Sequence, residues 1–302
     1  MKVKDHSLVK MLLLCLVCTF FWGAGYPILK MSYAYWGVGG SDVPGKLLYA
    51  SLRFLPAGFI LLLVASLKKK KLAVPDKKAM PWVALLGVCQ TALQYGLLYI
   101  GMAFTSGTKS SVLNQVCIFI MVLLTPVFFK GEKLTLRKIL GCVAGFAGIV
   151  VMNLSGLSFR MEMGDIIVIA SSCCAAAGYL ISKGMPGDSD ALTSTAWQQI
   201  TGGVILLILG LATGGKLAVP NMEGMLCLAF QVTAAAVAYS LWFYLLKNYD
   251  ASTVSVSKFL TPVFGVLFSG LLLGEEIFTV TNFVALALVC TGVVVVNLKK
   301  RA

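Results

Sequence analysis

The sequence predicts an all-α integral membrane protein of ten transmembrane helices, arranged as two inverted five-helix repeats with both termini cytoplasmic. Three observations carry this prediction. Of 302 residues, 59% are hydrophobic and 12% charged, with a mean hydropathy of +0.90, whereas soluble domains carry about a quarter charged residues. The chain also repeats itself: 71–76 read Lys-Leu-Ala-Val-Pro-Asp and 216–221 read Lys-Leu-Ala-Val-Pro-Asn, while 148–154 read Gly-Ile-Val-Val-Met-Asn-Leu and 292–298 read Gly-Val-Val-Val-Val-Asn-Leu. Finally, the basic residues alternate in density from one connecting segment to the next.

A bilayer core about 30 Å thick needs roughly 20 apolar residues per helix. Ten stretches meet this: 8–29, 47–67, 80–102, 109–129, 137–154, 165–183, 191–213, 222–246, 252–273 and 277–297. The first follows Lys2, Lys4 and Lys10 as a signal peptide would, but its apolar run continues through Trp22 to Ile28 without a small-x-small cleavage site. An uncleaved helix is expected. With the N-terminus inside, 18 of the 25 Lys and Arg residues fall in inside segments and 5 in outside loops; Arg53 and Lys258 complete the set within spans. The positive-inside rule therefore accounts for the net charge of +13, and no nucleic-acid partner is implied. The protein is expected to be a multi-pass plasma-membrane protein of the bacterial inner-membrane type, with the bilayer as its surroundings.

Five spans per copy force the second copy to enter the membrane from the opposite side, giving halves 1–155 and 156–302 related by an axis in the membrane plane. Ala24 to Lys30 echoes Ala177 to Lys183, Tyr95 to Tyr99 echoes Tyr239 to Phe243, and Gly131-Glu132 echoes Gly274-Glu275. The offset falls by 8 between the first and second spans, which places an insertion around Tyr35 to Asp42. Pro27, Pro56, Pro126 and Pro262 interrupt spans, and each removes a helix hydrogen bond. Gly141, Gly145 and Gly148 form a small-residue stripe suited to close helix packing, with a homodimer contact as its other use. The nine cysteines lie in spans and the single histidine is His6, so buried small hydrophobes are a better reading than a metal site. No cofactor is implied.

Ionisable groups inside a membrane are expensive and mark function. Arg53 lies about 9 Å into the second span and Lys258 about 10 Å into the ninth, at 1.5 Å per residue. The repeat maps Arg53 onto Gln198, and Lys258 onto Asn114 or Gln115. Both cations are candidates to bind a substrate carboxylate; the plainer reading is snorkelling or a helix-to-helix bond. Trp22, Tyr26, Gln94, Tyr95, Tyr99, Asn114, Gln115, Tyr179, Gln231, Tyr239 and Trp242, with Gln90, complete a candidate substrate cavity of aromatic walls and directional polar groups. Interhelical packing is the plainer reading for each glutamine. None of the twelve carboxylates lies in the middle of a span, which favours facilitated diffusion or exchange over a proton relay. Glu132 and Glu275 are read as helix-end contacts that shape a gate.

Five-plus-five spans, Trp22-Gly23, the Gly-Glu pairs ending the fourth and ninth spans, and the glycine-rich fifth and tenth spans resemble the EamA-type drug/metabolite transporter superfamily, over essentially the whole chain. The resemblance implies a transporter whose third, fourth, eighth and ninth helices, with the first and sixth, surround a central cavity. Members carry amino acids, nucleobases, sugars, polyamines and drugs, and are often exporters. The expected function is a secondary carrier of a small metabolite, an amino acid or related compound, working by alternating access in export. The alternatives are a lipid or lipid-linked flippase and, remotely, an intramembrane enzyme. An enzyme would need a nucleophile, base or metal set, and no His, Asp or Glu lies in the middle of a span to supply one.

Overall fold

The computed structural model describes residues 8–105, 107–154, 160–187, 190–274 and 279–297, the side chains of 107 and 108 excepted. Among these the regular secondary structure is all helical, with no strand. The helices are α1 (Leu8–Tyr35), α2 (Val43–Lys69), α3 (Met80–Gly101), α4 (Lys109–Phe128), α5 (Leu136–Met152), α6 (Met163–Gly184), α7 (Ala191–Ala212), α8 (Met222–Asn248), α9 (Ala251–Leu273) and α10 (Val280–Asn297). Nine of them are long and apolar enough to cross a membrane, and α5 has 17 residues. The outer face of the bundle exposes Phe59, Leu63, Ile208, Leu226 and Leu271, an apolar surface that only lipid would solvate favourably. The protein is thus a multi-pass membrane protein.

Short polar residues start the helices, because the first N–H groups of a helix lack carbonyl partners. Asp42 accepts from the Gly45 amide, Asp190 from Thr193, Asn221 from Gly224 and Asp250 from Thr253, each at 2.8–2.9 Å. Glu162 and Asp165 form a reciprocal capping box at α6. The first helix runs six residues beyond its predicted end at 29, to Tyr35. Lys30 does not end it, because Lys30 lines a cavity rather than lipid. The insertion follows as a turn over the end of α8. There Trp36 donates its indole N–H to the Gly224 carbonyl at 3.2 Å, and its own carbonyl accepts from Ala218 at 2.9 Å.

The most extensive helix pairs are α2 with α7 and α5 with α10. The other contacts come in matched sets: α1 packs on α8 and α9 as α6 packs on α3 and α4, and α2 meets α8 as α7 meets α3. The Gly141, Gly145 and Gly148 stripe is covered by α10 of the same chain: a Cβ on Gly148 would stand 2.8 Å from the Ala285 carbonyl oxygen. A homodimer contact through this stripe is therefore corrected; close backbone approach has already filled it.

The prolines do not mark the breaks. Pro27, Pro56 and Pro126 sit inside helices. The ladder is interrupted instead at Asn114-Gln115 in α4 and Lys258-Phe259 in α9, and it widens to π turns over Gly87–Leu93 in α3. Pro262 falls in the first turn after the α9 break, where a missing N–H removes little.

A Cβ at Gly292 would lie 2.5 Å from the Gly141 carbonyl oxygen and 2.8 Å from the Gly145 amide nitrogen. Gly292→Val should therefore lower stability by about 1–3 kcal/mol. Gly96→Ala, which meets nothing within 4 Å, should not. Thermal unfolding of the two variants in detergent checks this.

Candidate functional site

A cavity of about 570 Å³ opens at one end of the bundle. Its mouth is formed by Lys30, Met102, Ser110, Asn153, Leu273 and Asn282, and its floor by Tyr26 and Asn114 with Pro262 and Gly265 beside them. Tyr26 is 50% exposed, into this space. Its hydroxyl lies within electrostatic reach of Lys258, Tyr95 and Arg53. The floor thus separates the open volume from two buried cations.

The two helix breaks meet here and share one hydrogen-bond pattern. In α4, Gln115 N–H donates to Val112 at 3.0 Å and Ile118 N–H to Gln115 at 2.9 Å; in α9, Lys258 N–H donates to Ser255 at 3.0 Å and Thr261 N–H to Lys258 at 2.9 Å. Both are tight i to i−3 turns, which in mid-helix mark hinges. The pattern aligns Lys258 with Gln115 rather than Asn114.

Lys258 is 7% exposed. Its ammonium lies 5.0 Å from the Tyr179 ring centre and 5.8 Å from that of Trp22, with Cys117 Sγ at 3.4 Å. Arg53, also 7% exposed, lies 5.5 Å from the Tyr95 ring, and its Nε has no protein partner. Rings connect the two cations: Trp22 packs on Tyr239 at 5.7 Å, and the Tyr239 and Tyr95 hydroxyls are 2.7 Å apart. Trp242 fills the corner at 5.0 Å from Trp22 and 5.9 Å from Tyr179. Among the described residues no carboxylate pairs with either cation. Each ring face returns about 0.5–2 kcal/mol, while removing an ion from water costs several kcal/mol. The aromatic contacts therefore do not offset the burial. Two charges held at a net cost, beside a cavity, have the character of a functional site.

Most of the sequence-predicted residues converge on this region. Trp22, Tyr26, Tyr95, Tyr99, Asn114, Tyr179, Tyr239 and Trp242 join Lys258 and Arg53 in the ring array or the cavity floor. Gln115 stands at the α4 break with its side-chain oxygen buried and unpartnered, and the Gln94 oxygen is in the same condition. Gln231 instead ties α8 to α1, donating to the Gly25 carbonyl at 2.7 Å. Gln90 accepts from Gln198 at 3.3 Å, while the Gln231 side-chain oxygen is buried without a partner like those of Gln94 and Gln115. The sequence reading missed Cys117, counted only as a small hydrophobe, and Phe54, 4.9 Å from Tyr95. Lys30, Ser110, Asn153 and Asn282 were missed because helix ends looked like plain loop boundaries.

The opposite end is shut. Glu132, just past α4, accepts from the Ala251 amide at 2.7 Å and the Ser252 hydroxyl at 3.2 Å, and pairs with Lys183 of α6 at 2.7 Å. Lys183 also donates to the Tyr249 carbonyl at 2.8 Å. Lys138 of α5 meets Asp250 at 2.8 Å. Burial alone would raise the Asp250 carboxyl, yet Lys138 and the Thr253 amide hold it below the usual carboxylate range. Glu275 lies outside the described residues. Asp165, near the open end, is buried and paired with Lys109 at 2.5 Å.

Because the buried ammonium is held at a net cost, Lys258→Met should raise stability by about 0.5–2 kcal/mol, read as a higher melting temperature in detergent. A fall would make Lys258 a structural group.

The chain is similar over nearly its full length to bacterial and archaeal transporters. It is 27% identical to the uncharacterized transporter YvbV of Bacillus subtilis (strain 168), covering 96% of this chain and 92% of that one. It is 26% identical to the uncharacterized inner membrane transporter YedA of Escherichia coli (strain K12), covering 92% and 88%. A protein of known crystal structure shares the fold, with a TM-score of 0.80 at 17% identity and 96% of both chains covered. The model of the EamA-like transporter family matches twice, over residues 9–154 and 162–298. The ring-lined cations and the cavity above them are thus the candidate site of a membrane transporter, and the chain belongs to the EamA-like transporter family.

Proposed function

We propose that this protein is a secondary carrier that moves a small carboxylate-bearing metabolite, an amino acid or related compound, across the plasma membrane by alternating access. One observation carries the reading: a cavity reaches from one end of the bundle to a floor above two unpaired cations, while the other end is closed by the Glu132–Lys183 pair. A carboxylate bound at Lys258 or Arg53 supplies the counter-charge that no described residue gives.

The alternation rests on the repeat. Two family matches, the exchangeable helix contacts and the paired turns at 112–118 and 255–261 support two inverted halves and a tenth crossing by α5. Swapping the halves' conformations would open the shut end and close the cavity. The shut end carries most of the basic residues, so the positive-inside rule makes it, and both termini, cytoplasmic. The open cavity then faces outward. Export is the direction the family resemblance favours.

A second reading has its own observation. An apolar slot of about 70 Å³ between α9 and α10 shares Met152, Val266 and Asn282 with the main cavity, and includes the exposed Leu267 and Phe283. A lipid or lipid-linked substrate could enter there.

The test is counterflow in proteoliposomes preloaded with mixed unlabelled amino acids and offered labelled ones singly. Accumulation that needs an internal amino acid, and falls at least about tenfold in Lys258→Ala, is the expected result. No accumulation by folded protein, alongside movement of labelled phospholipid between leaflets, would replace the metabolite reading with the lipid one. For the latch, Glu132→Ala should expose Cys117, kept as the sole cysteine, to an impermeant maleimide added from the cytoplasmic face. Unchanged labelling would remove Glu132 from the gate.

A further inference from the structure

The charges around the site have one sign. Lys258 and Arg53 are buried, and no carboxylate among the described residues pairs with either. The described residues lining the cavity include Lys30 and no Asp or Glu. A zwitterionic amino acid would place its carboxylate well here but bring its ammonium close to two buried cations, with no carboxylate among the described cavity-lining residues to balance it. Like charges placed so are strongly disfavoured. The neutral groups at hand are unpartnered indole N–H groups on Trp22 and Trp242 and amide oxygens on Gln94, Asn114 and Gln115. The indole N–H groups can donate to a hydroxyl or keto oxygen, the amide oxygens can accept from a hydroxyl, and the rings between the cations suit an apolar or aromatic body.

We propose that the preferred substrate is a net organic anion: one carboxylate on an aromatic or apolar body, with a hydroxyl or keto group where an amino acid carries its ammonium. This rests on the carrier reading and names the substrate class of the same site. Lys258 supplies the charge that receives the carboxylate at the α9 break, and Arg53 supplies a second such charge at the far end of the ring array.

Three probes on one skeleton isolate charge: 3-phenyllactate (anion), phenylalanine (zwitterion) and phenethylamine (cation). Binding is read as the melting-temperature shift of the full chain in detergent, and transport as exchange in proteoliposomes against protein-free vesicles. The expected order is phenyllactate over phenylalanine by roughly tenfold or more in apparent affinity, with phenethylamine inactive. Lys258→Gln, which removes the charge and keeps a hydrogen-bond donor, should narrow that gap, and Lys258→Arg, which keeps the charge, should preserve it. Equal or better binding of phenylalanine overturns the anion preference and leaves the carrier reading standing. Failure of all three probes also overturns it. The carrier reading is then judged separately by the mixed amino acid counterflow, which uses none of these probes.

Discussion

In the hydrocarbon core no water is available for a backbone N–H or carbonyl, so each must find its partner inside the protein. That constraint explains both the all-helical architecture and the location of its exceptions. The turns at Gln115 and Lys258 are buried at the centre of the bundle, and each exchanges i to i−4 bonds for i to i−3 bonds rather than losing them. They persist because the surrounding helices are rigidly placed. Gly141, Gly145 and Gly292 let α5 and α10 touch backbone to backbone, and Phe259, beside the broken turn, packs onto Gly145. A backbone-to-backbone helix contact thus abuts the broken turn of the site.

One helix joins the closed end, the cations and the open cavity. The first turn of α9 is held by Glu132 and Asp250, its break presents Lys258, and its second half lines the cavity from Pro262 to Leu273. The three levels are connected along α9 through the break at Lys258. The matching helix, α4, carries an amide where α9 carries an ammonium. α4 and α9 therefore share a backbone turn but differ in the charge they present there.

Much of this was legible from residue type and spacing. The apolar runs beginning at 191 and 222 marked the observed starts of α7 and α8. Arg53 and Lys258 stood out because cations are scarce within apolar spans, and the aromatic residues around them recurred at helical spacing. The breaks themselves were not legible. Proline advertises a missing hydrogen bond, but Asn114-Gln115 and Lys258-Phe259 change their bonding through tertiary contacts that have no local signal. An amide suits either a ligand or a neighbouring helix, and the sequence could not show that Gln231 donates to the Gly25 carbonyl or that Gln90 accepts from Gln198. The glycine stripe showed close packing but not its partner, α10.

The tight turns have a mechanical consequence. An α-helix advances about 1.5 Å and 100° per residue, and a 3₁₀ turn about 2.0 Å and 120°. Converting three residues around Lys258 from one form to the other would therefore lengthen or shorten α9 by about 1.5 Å and rotate its second half by about 60° relative to its first. Such a screw motion moves side chains around the axis far more than it moves the helix along it. The half of α9 that lines the cavity could in this way turn a different face inward while its first turn stays clamped at Glu132.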